Sequence, residues 1–378
     1  MIYLDNAATT KVSPEVIGEM LPYFSEEYGN PGSIHSAGRR AMKAIDKARE
    51  LCAGPISAEP ENIIFTSGGS EANTLAIVGL AKYLKSIGKT HIITTQVEHH
   101  SVLNAVKSLF YLGFDATFIP VNSDGSLNMS DIEKEIRPET GLVSVMMVNN
   151  ETGNRYDTYN IGALCHKRGI LFHADCVQSY CCTHIDVDES HIDFLSASGH
   201  KIHAPKGIGI LYARYKKLLN PIIFGGSQEY ELRGGTHNVP YIVAMGRASH
   251  MSYVDHLFNE HKYDAKIARI RSNIMGEVSG VHINGAPHKN AKTINLRFDG
   301  VDGETLLLLL NNKGVAVSAG SACSAHYATP SHVLTALGLT PDEARSSIRI
   351  SVSKYTTSEE IDIASKAIID SVLQLRGG

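Results

Sequence analysis

The chain has 378 residues, six cysteines and a formal net charge of −4, so it can bury a large core and is expected to form two domains. That mildly acidic balance gives no electrostatic case for nucleic acid. The opening MIYLDNAATT lacks the basic and apolar regions of a secretory signal, and no apolar run reaches membrane-spanning length. The expected compartment is the cytoplasm, where thiols stay reduced.

In chain order, NIIFTSG (62–68) reads as a strand and turn. One helix is predicted over GSEANTLAIVGLAKYLKSIG, with Ser70 as N-cap and Gly88 as its stop. THIITTQVEHH, FDATFIPV, GLVSVMMVNN, ILFHADCV and DFLSAS follow as apolar strands, with helices such as SVLNAVKSLFYLG and NIGALCHKRG between some of them. Strands apolar on both faces and linked by helices predict a mostly parallel sheet covered on both sides. After about residue 250 the pattern changes to a charged helical stretch, then KTINLRF, GETLLLLLNNKG, VAVSAG, SSIRISVS and a last helix. This predicts a smaller α+β domain.

Open α/β sheets bind ligands at the carboxyl ends of their strands, and reactive residue types cluster there. Lys201 follows DFLSAS and precedes a Pro/Gly turn. A lysine desolvated at a strand end suits Schiff-base chemistry. Ser198 and His200 share a face opposite Lys201 if that segment is extended. Gly69 and Ser70 open a helix as an anion site. Asp175 ends a strand where a carboxylate meets a cationic heterocycle. His99 and His100 offer ring stacking or proton transfer, and Asn150 offers a ligand hydrogen bond. Cys323 sits in a run of small residues (about 317–330) that reads as a mobile loop carrying a nucleophile. Taken singly, several of these have plainer readings: a surface lysine, a helix cap, a turn amide.

The order and spacing of YLDNAATT, GNPGSIHSAGRRA, FTSGGSEAN, VEHHSVL, VNNETG, HADCVQS, SGHKIHAPKGIG, LRGGTHNV, SAGSACS, PSHVL and RSSIRIS run nearly end to end. Together they resemble the pyridoxal 5′-phosphate (PLP)-dependent cysteine desulfurases of the NifS/IscS type, in the class V aminotransferase family. The length of the segment from Cys323 to Pro330 resembles the mobile-loop branch. The resemblance implies fold type I: a large domain (14–250) on a mostly parallel, seven-stranded-type sheet, and a small α+β domain (1–13 and 251–378).

It further implies that Lys201 carries PLP as a Schiff base, that Asp175 pairs with the pyridine nitrogen and that Gln178 reaches the ring oxygen. His99 would stack on the ring and move a proton. Gly69, Ser70, Ser198 and His200 would bind the phosphate, with Thr236 reaching it from the partner subunit of a homodimer. Asn150 and Arg349 would hold the carboxylate of L-cysteine, and Cys323 would receive its sulfur for an acceptor protein. The acceptor and pathway (iron–sulfur cluster assembly, tRNA thiolation or selenium) stay open.

Two alternatives accompany this reading. A sibling selenocysteine lyase or cysteine sulfinate desulfinase would need Cys323 less. A non-catalytic thiol or metal-binding protein would rest on Cys176, Cys181, Cys182 and His184, although C-x4-C-C-x-H is a weak zinc pattern. Cys176 is expected to be a small buried filler. Cys181 and Cys182 stand where relatives usually carry glycine and lysine, and are expected at a surface or interface.

Overall fold

The computed structural model describes residues 1–259, 261–287, 291–319 and 330–377. Cys323 therefore lies outside the described residues. The strands are β1 (Ile2–Tyr3), β2 (Ile63–Thr66), β3 (His91–Thr95), β4 (Asp115–Ile119), β5 (Thr140–Met146) and β6 (Leu171–Asp175). They continue as β7 (Phe194–Ser198), β8 (Gly209–Ala213), β9 (Val281–Ile283), β10 (Thr293–Phe298), β11 (Val315–Ala316) and β12 (Ser347–Ser351).

The apolar runs build a seven-stranded sheet in the order β2-β8-β7-β6-β5-β3-β4. It is parallel except for β8, which runs antiparallel to both β2 and β7. The mostly parallel α/β class expected from the sequence is the one observed. Both faces are covered: alternation along β2 sends Ile63 and Phe65 into one hydrophobic cluster and Ile64 into another. A third cluster packs the antiparallel sheet β12-β10-β9 against the helices His261–Glu277, Gly303–Asn312 and Ser358–Gly377, and Leu4 joins it from the chain start. The helix Val239–Asn259 runs past residue 250 and packs on Ser36–Ala53. Among the described residues, no helix is long and apolar enough to cross a membrane.

Two local expectations change. The helix predicted over 69–88 is two helices, Gly69–Val78 and Ala81–Ser86. The break has a cause: the Gly79 carbonyl accepts from the Asn220 amide at 2.9 Å, a loop donor in place of the next helical turn. Its N-cap is Gly68, not Ser70, at φ 154°, a backbone region that favours glycine. The second change is β8, a strand that the sequence reading does not assign. It turns back along β7, so Lys201 sits in a hairpin connection rather than a crossover.

Candidate active site

The carboxyl ends of β5, β6 and β7 and the start of helix Gly69–Val78 enclose a cavity of about 190 Å³. Gly69, Ser70, His99, Asn150, Asp175, Gln178, Ser198, His200, Lys201 and Arg349 all line it. Ten of the predicted site residues, scattered over 281 positions, are thus brought together.

Lys201 ends a short 3-10 turn, Gly199–Lys201, that follows β7 directly. The extended reading of this segment does not hold, because the turn brings Ser198, His200 and Lys201 to the same cavity. The Lys201 ammonium donates to the carbonyls of Ala7 at 2.5 Å and Ala8 at 2.8 Å. Gln178 Nε2 donates to the same Ala7 carbonyl at 3.1 Å. The N-terminal segment is therefore a wall of the site. Backbone carbonyls carry no residue-type signal, so YLDNAATT alone does not announce this wall.

Asp175 closes β6 and is 4% exposed. Its Oδ1 accepts from the Val177 amide at 2.9 Å, and its Oδ2 accepts from Asn73 Nδ2 at 2.8 Å. Asn73, from the helix Gly69–Val78, also donates to Ser101 Oγ at 2.9 Å. Within FTSGGSEAN this amide looks like any other helix residue. His99 caps the helix His100–Ser108, its Nδ1 accepting from the Ser101 amide at 3.1 Å. Burial lowers its pKa, Asp175 opposes that, and Lys201 and His332 add to it. The neutral ring thus carries its proton on Nε2. His200 meets Thr9 Oγ1 at 3.2 Å through Nδ1, and burial and the neighbouring lysines lower its pKa to about 4.

Arg349, from the middle of β12, is 1% exposed. It donates to Asp5 Oδ1 at 2.7 Å and to the Asn150 carbonyl at 3.2 Å. Its Nε and the Asn73 Oδ1 are buried with no hydrogen-bond partner among the described residues. Buried polar atoms are rarely left so unless a ligand or ion completes them. Beneath the site, fully buried Glu98 accepts from the Met146 amide at 3.0 Å and from Thr95 Oγ1 at 2.7 Å. Burial first, opposed by these bonds, pushes its pKa up to about 8.

The remaining predicted residues fall elsewhere. Thr236 is exposed and does not line this chain's cavity. Cys176 is buried in the core, as a filler would be. Cys181 is not a surface residue: it is 2% exposed, in a left-handed backbone at φ 57°. Cys182 is half-buried and faces Lys292. Among the described residues, no three His, Cys, Asp or Glu side chains group as a metal site.

A lysine amine, a strand-end carboxylate and a glycine-serine helix start meeting over one α/β sheet suit a PLP enzyme of fold type I. The orphaned guanidinium nitrogen and amide oxygen are consistent with a ligand that completes the cavity. Residues 2–363 match the family described as aminotransferase class-V. A curated cysteine desulfurase from Nostoc sp. is 40% identical over 378 residues, covering 100% of this chain and 94% of that protein. A solved NifS-like protein superposes with a TM-score of 0.91 at 34% identity, covering 98% of each chain. The structure of SspA in complex with cysteine superposes with a TM-score of 0.81 at 38% identity, covering 94% of this chain and 100% of that one. The chain belongs to the PLP-dependent class-V aminotransferase family, alongside the NifS/IscS-type cysteine desulfurases.

Proposed function

We propose that the protein is a cysteine desulfurase: it removes sulfur from L-cysteine, releasing L-alanine and leaving a persulfide on Cys323. The observation that carries this is the convergence of Lys201, Asp175, His99 and Arg349 on one cavity. Bound PLP supplies an electron-accepting ring that stabilises negative charge at the substrate carbon. Lys201 holds the cofactor and moves protons beside it. Asp175, kept in place by Asn73 and the Val177 amide, pairs with the ring nitrogen. Gln178 reaches the ring oxygen, and His99 covers the ring and offers a proton at Nε2. Gly69, Ser70, Ser198 and His200 hold the phosphate at a helix N-terminus. Arg349, pre-oriented by Asp5, takes the substrate carboxylate with Asn150.

Cys323 attacks the substrate sulfur: one S–S bond forms, the C–S bond breaks, and the carbon takes a proton to become alanine. The sulfur then passes to an acceptor protein, with iron–sulfur cluster assembly as one destination. We further propose a homodimer, in which Thr236 faces the partner's phosphate site. The five described cysteines carry no disulfide, which suits the cytoplasm.

The test is incubation with cysteine, measuring alanine and mapping the persulfide by mass. Cys323→Ser abolishes persulfide formation while the visible absorbance of the bound cofactor persists. Full desulfurase turnover in that variant overturns the assignment of Cys323. Rates on selenocysteine and cysteine sulfinate, measured alongside, separate the sibling activities.

A further inference from the structure

Outside the cavity described above, one lysine meets a thiol. Lys292 leads into β10 and is half-buried. What faces its ammonium is sulfur: Nζ donates to Cys182 Sγ at 2.8 Å and lies 4.4 Å from the centre of the Tyr263 ring. The Asp255 carboxylate is one step further, accepting from the Tyr263 hydroxyl at 3.1 Å. Burial would strip the proton from Lys292, but the Cys182 sulfur and then Tyr263 hold it on, above the ordinary lysine range. The ammonium sets a nitrogen and a sulfur within hydrogen-bond distance of one another.

Cys182 also differs from the other described cysteines. It is the one that is not buried, whereas burial pushes the Cys52 and Cys165 thiols up to about 12. Two cavities of about 20 Å³ adjoin it, each large enough for a water-sized molecule. One of them shares Ala7, Gln178 and Lys201 with the cofactor cavity.

We propose that Cys182 and Lys292 form an oxidation-sensitive cross-link site, at which two molecules of peroxide in turn join Sγ to Nζ through a single oxygen atom. The sulfur attacks one peroxide oxygen, the O–O bond breaks and water leaves, giving a sulfenic acid. That neutral sulfur no longer holds the proton on Lys292, so burial favours the free amine. A second peroxide then removes one hydrogen from the sulfenic hydroxyl and one from the amine and leaves as water. The N–O bond closes as it does so. Sulfur and nitrogen are oxidised, both peroxides are reduced, and the S–O–N bridge opens again with a thiol reductant. The bridge ties the loop after β6 to β10, and so joins the two sheets beside the cofactor cavity.

The experiment uses reduced, full-length holoenzyme treated with hydrogen peroxide, then digested without reductant and mapped by mass. The expected product is one linked species of the Cys182 and Lys292 peptides. Its mass is their sum plus one oxygen less two hydrogens, and dithiothreitol reverses it. Lys292→Arg keeps a cation against the sulfur but cannot close the bridge, so Cys182 there is trapped as sulfenic acid by dimedone. The cross-link is lost in Cys182→Ser. Recovery of wild-type Cys182 only as sulfenic or sulfinic acid overturns the proposal, as does an unmodified Cys182 when other thiols have oxidised. The wild-type mass map decides the matter even where a variant fails to fold, and it does not depend on the desulfurase reading.

Discussion

The cofactor cavity and the Arg49–Glu229 cluster both bury charge in the same large unit, yet their polar atoms are treated in opposite ways. Glu229 is 5% exposed and saturated. It accepts from Arg49 at 2.9 and 2.7 Å, from the Phe65 amide at 2.7 Å and from His237 Nε2 at 2.9 Å. The cluster braces three consecutive non-glycine residues, Glu229, Tyr230 and Glu231, in left-handed backbone at φ 45°, 60° and 66°, a conformation that costs about 1–3 kcal/mol each. In the cavity, by contrast, Arg349 Nε and Asn73 Oδ1 are buried without partners among the described residues. Saturation of Glu229 suits a strut that holds strained chain in place; two orphaned atoms on the wall of an open cavity suit a surface that a ligand completes.

The contrast can be broken by substitutions that separate activity from stability. Lys201→Ala is expected to lower alanine release by about 10²–10⁴-fold, the worth of a positioned acid–base group, with the fold intact by circular dichroism. Glu229→Gln does the reverse. It leaves Arg49 without its counter-charge and costs about 3–5 kcal/mol in urea unfolding, while molecules that remain folded still bind cofactor. Its acid limb should change too. Glu229 has a pKa lowered to about 2, chiefly by Arg49 working against burial. Its contribution is therefore present above the ordinary carboxyl value of 4.5 and lost as pH falls towards about 2; the variant lacks that loss.

Arg349→Lys keeps the charge but not the fork, and is expected to raise KM for cysteine by about 10–100-fold, from the loss of about 1.5–3 kcal/mol. A change in pH dependence rather than in activity is expected for Glu98→Gln. The wild-type carboxyl holds its proton up to about 8 in the fold, against 4.5 ordinarily. The unfolded chain gives up that proton first, so stability falls as pH rises between those values. The variant's melting temperature should decline less across the same window.

The sequence made the strand ends legible because apolar runs and helix signals are local. Lys201, Asp175 and His99 each lie within a few residues of such a run, and the family order of motifs assigns their partners. Less legible was anything that depends on pairing across the fold. The reversed direction of β8 leaves no mark in GILYA. Asn73 looks like any helix amide until its helix lies against β6. Cys182 stands out in the sequence beside Cys176 and Cys181, but the residue it meets is Lys292, 110 positions away. Contacts of that range are set by sheet topology, not by spacing.

The N-terminal wall of the cavity also carries a consequence for how the protein is made. Ala7 and Ala8 hold the Lys201 ammonium, but the segment is itself held from the far end of the chain. Asn6 Nδ2 donates to the Ser351 carbonyl at 2.9 Å, Ser351 Oγ accepts from the Ala7 amide at 2.8 Å, and Asp5 pairs with Arg349. These partners are 344–345 residues apart. During synthesis residues 5–7 leave the ribosome well before β12, and wait for it before they have anywhere to dock. The large sheet can form beforehand, but a cavity able to grip cofactor closes only once β12 has been made.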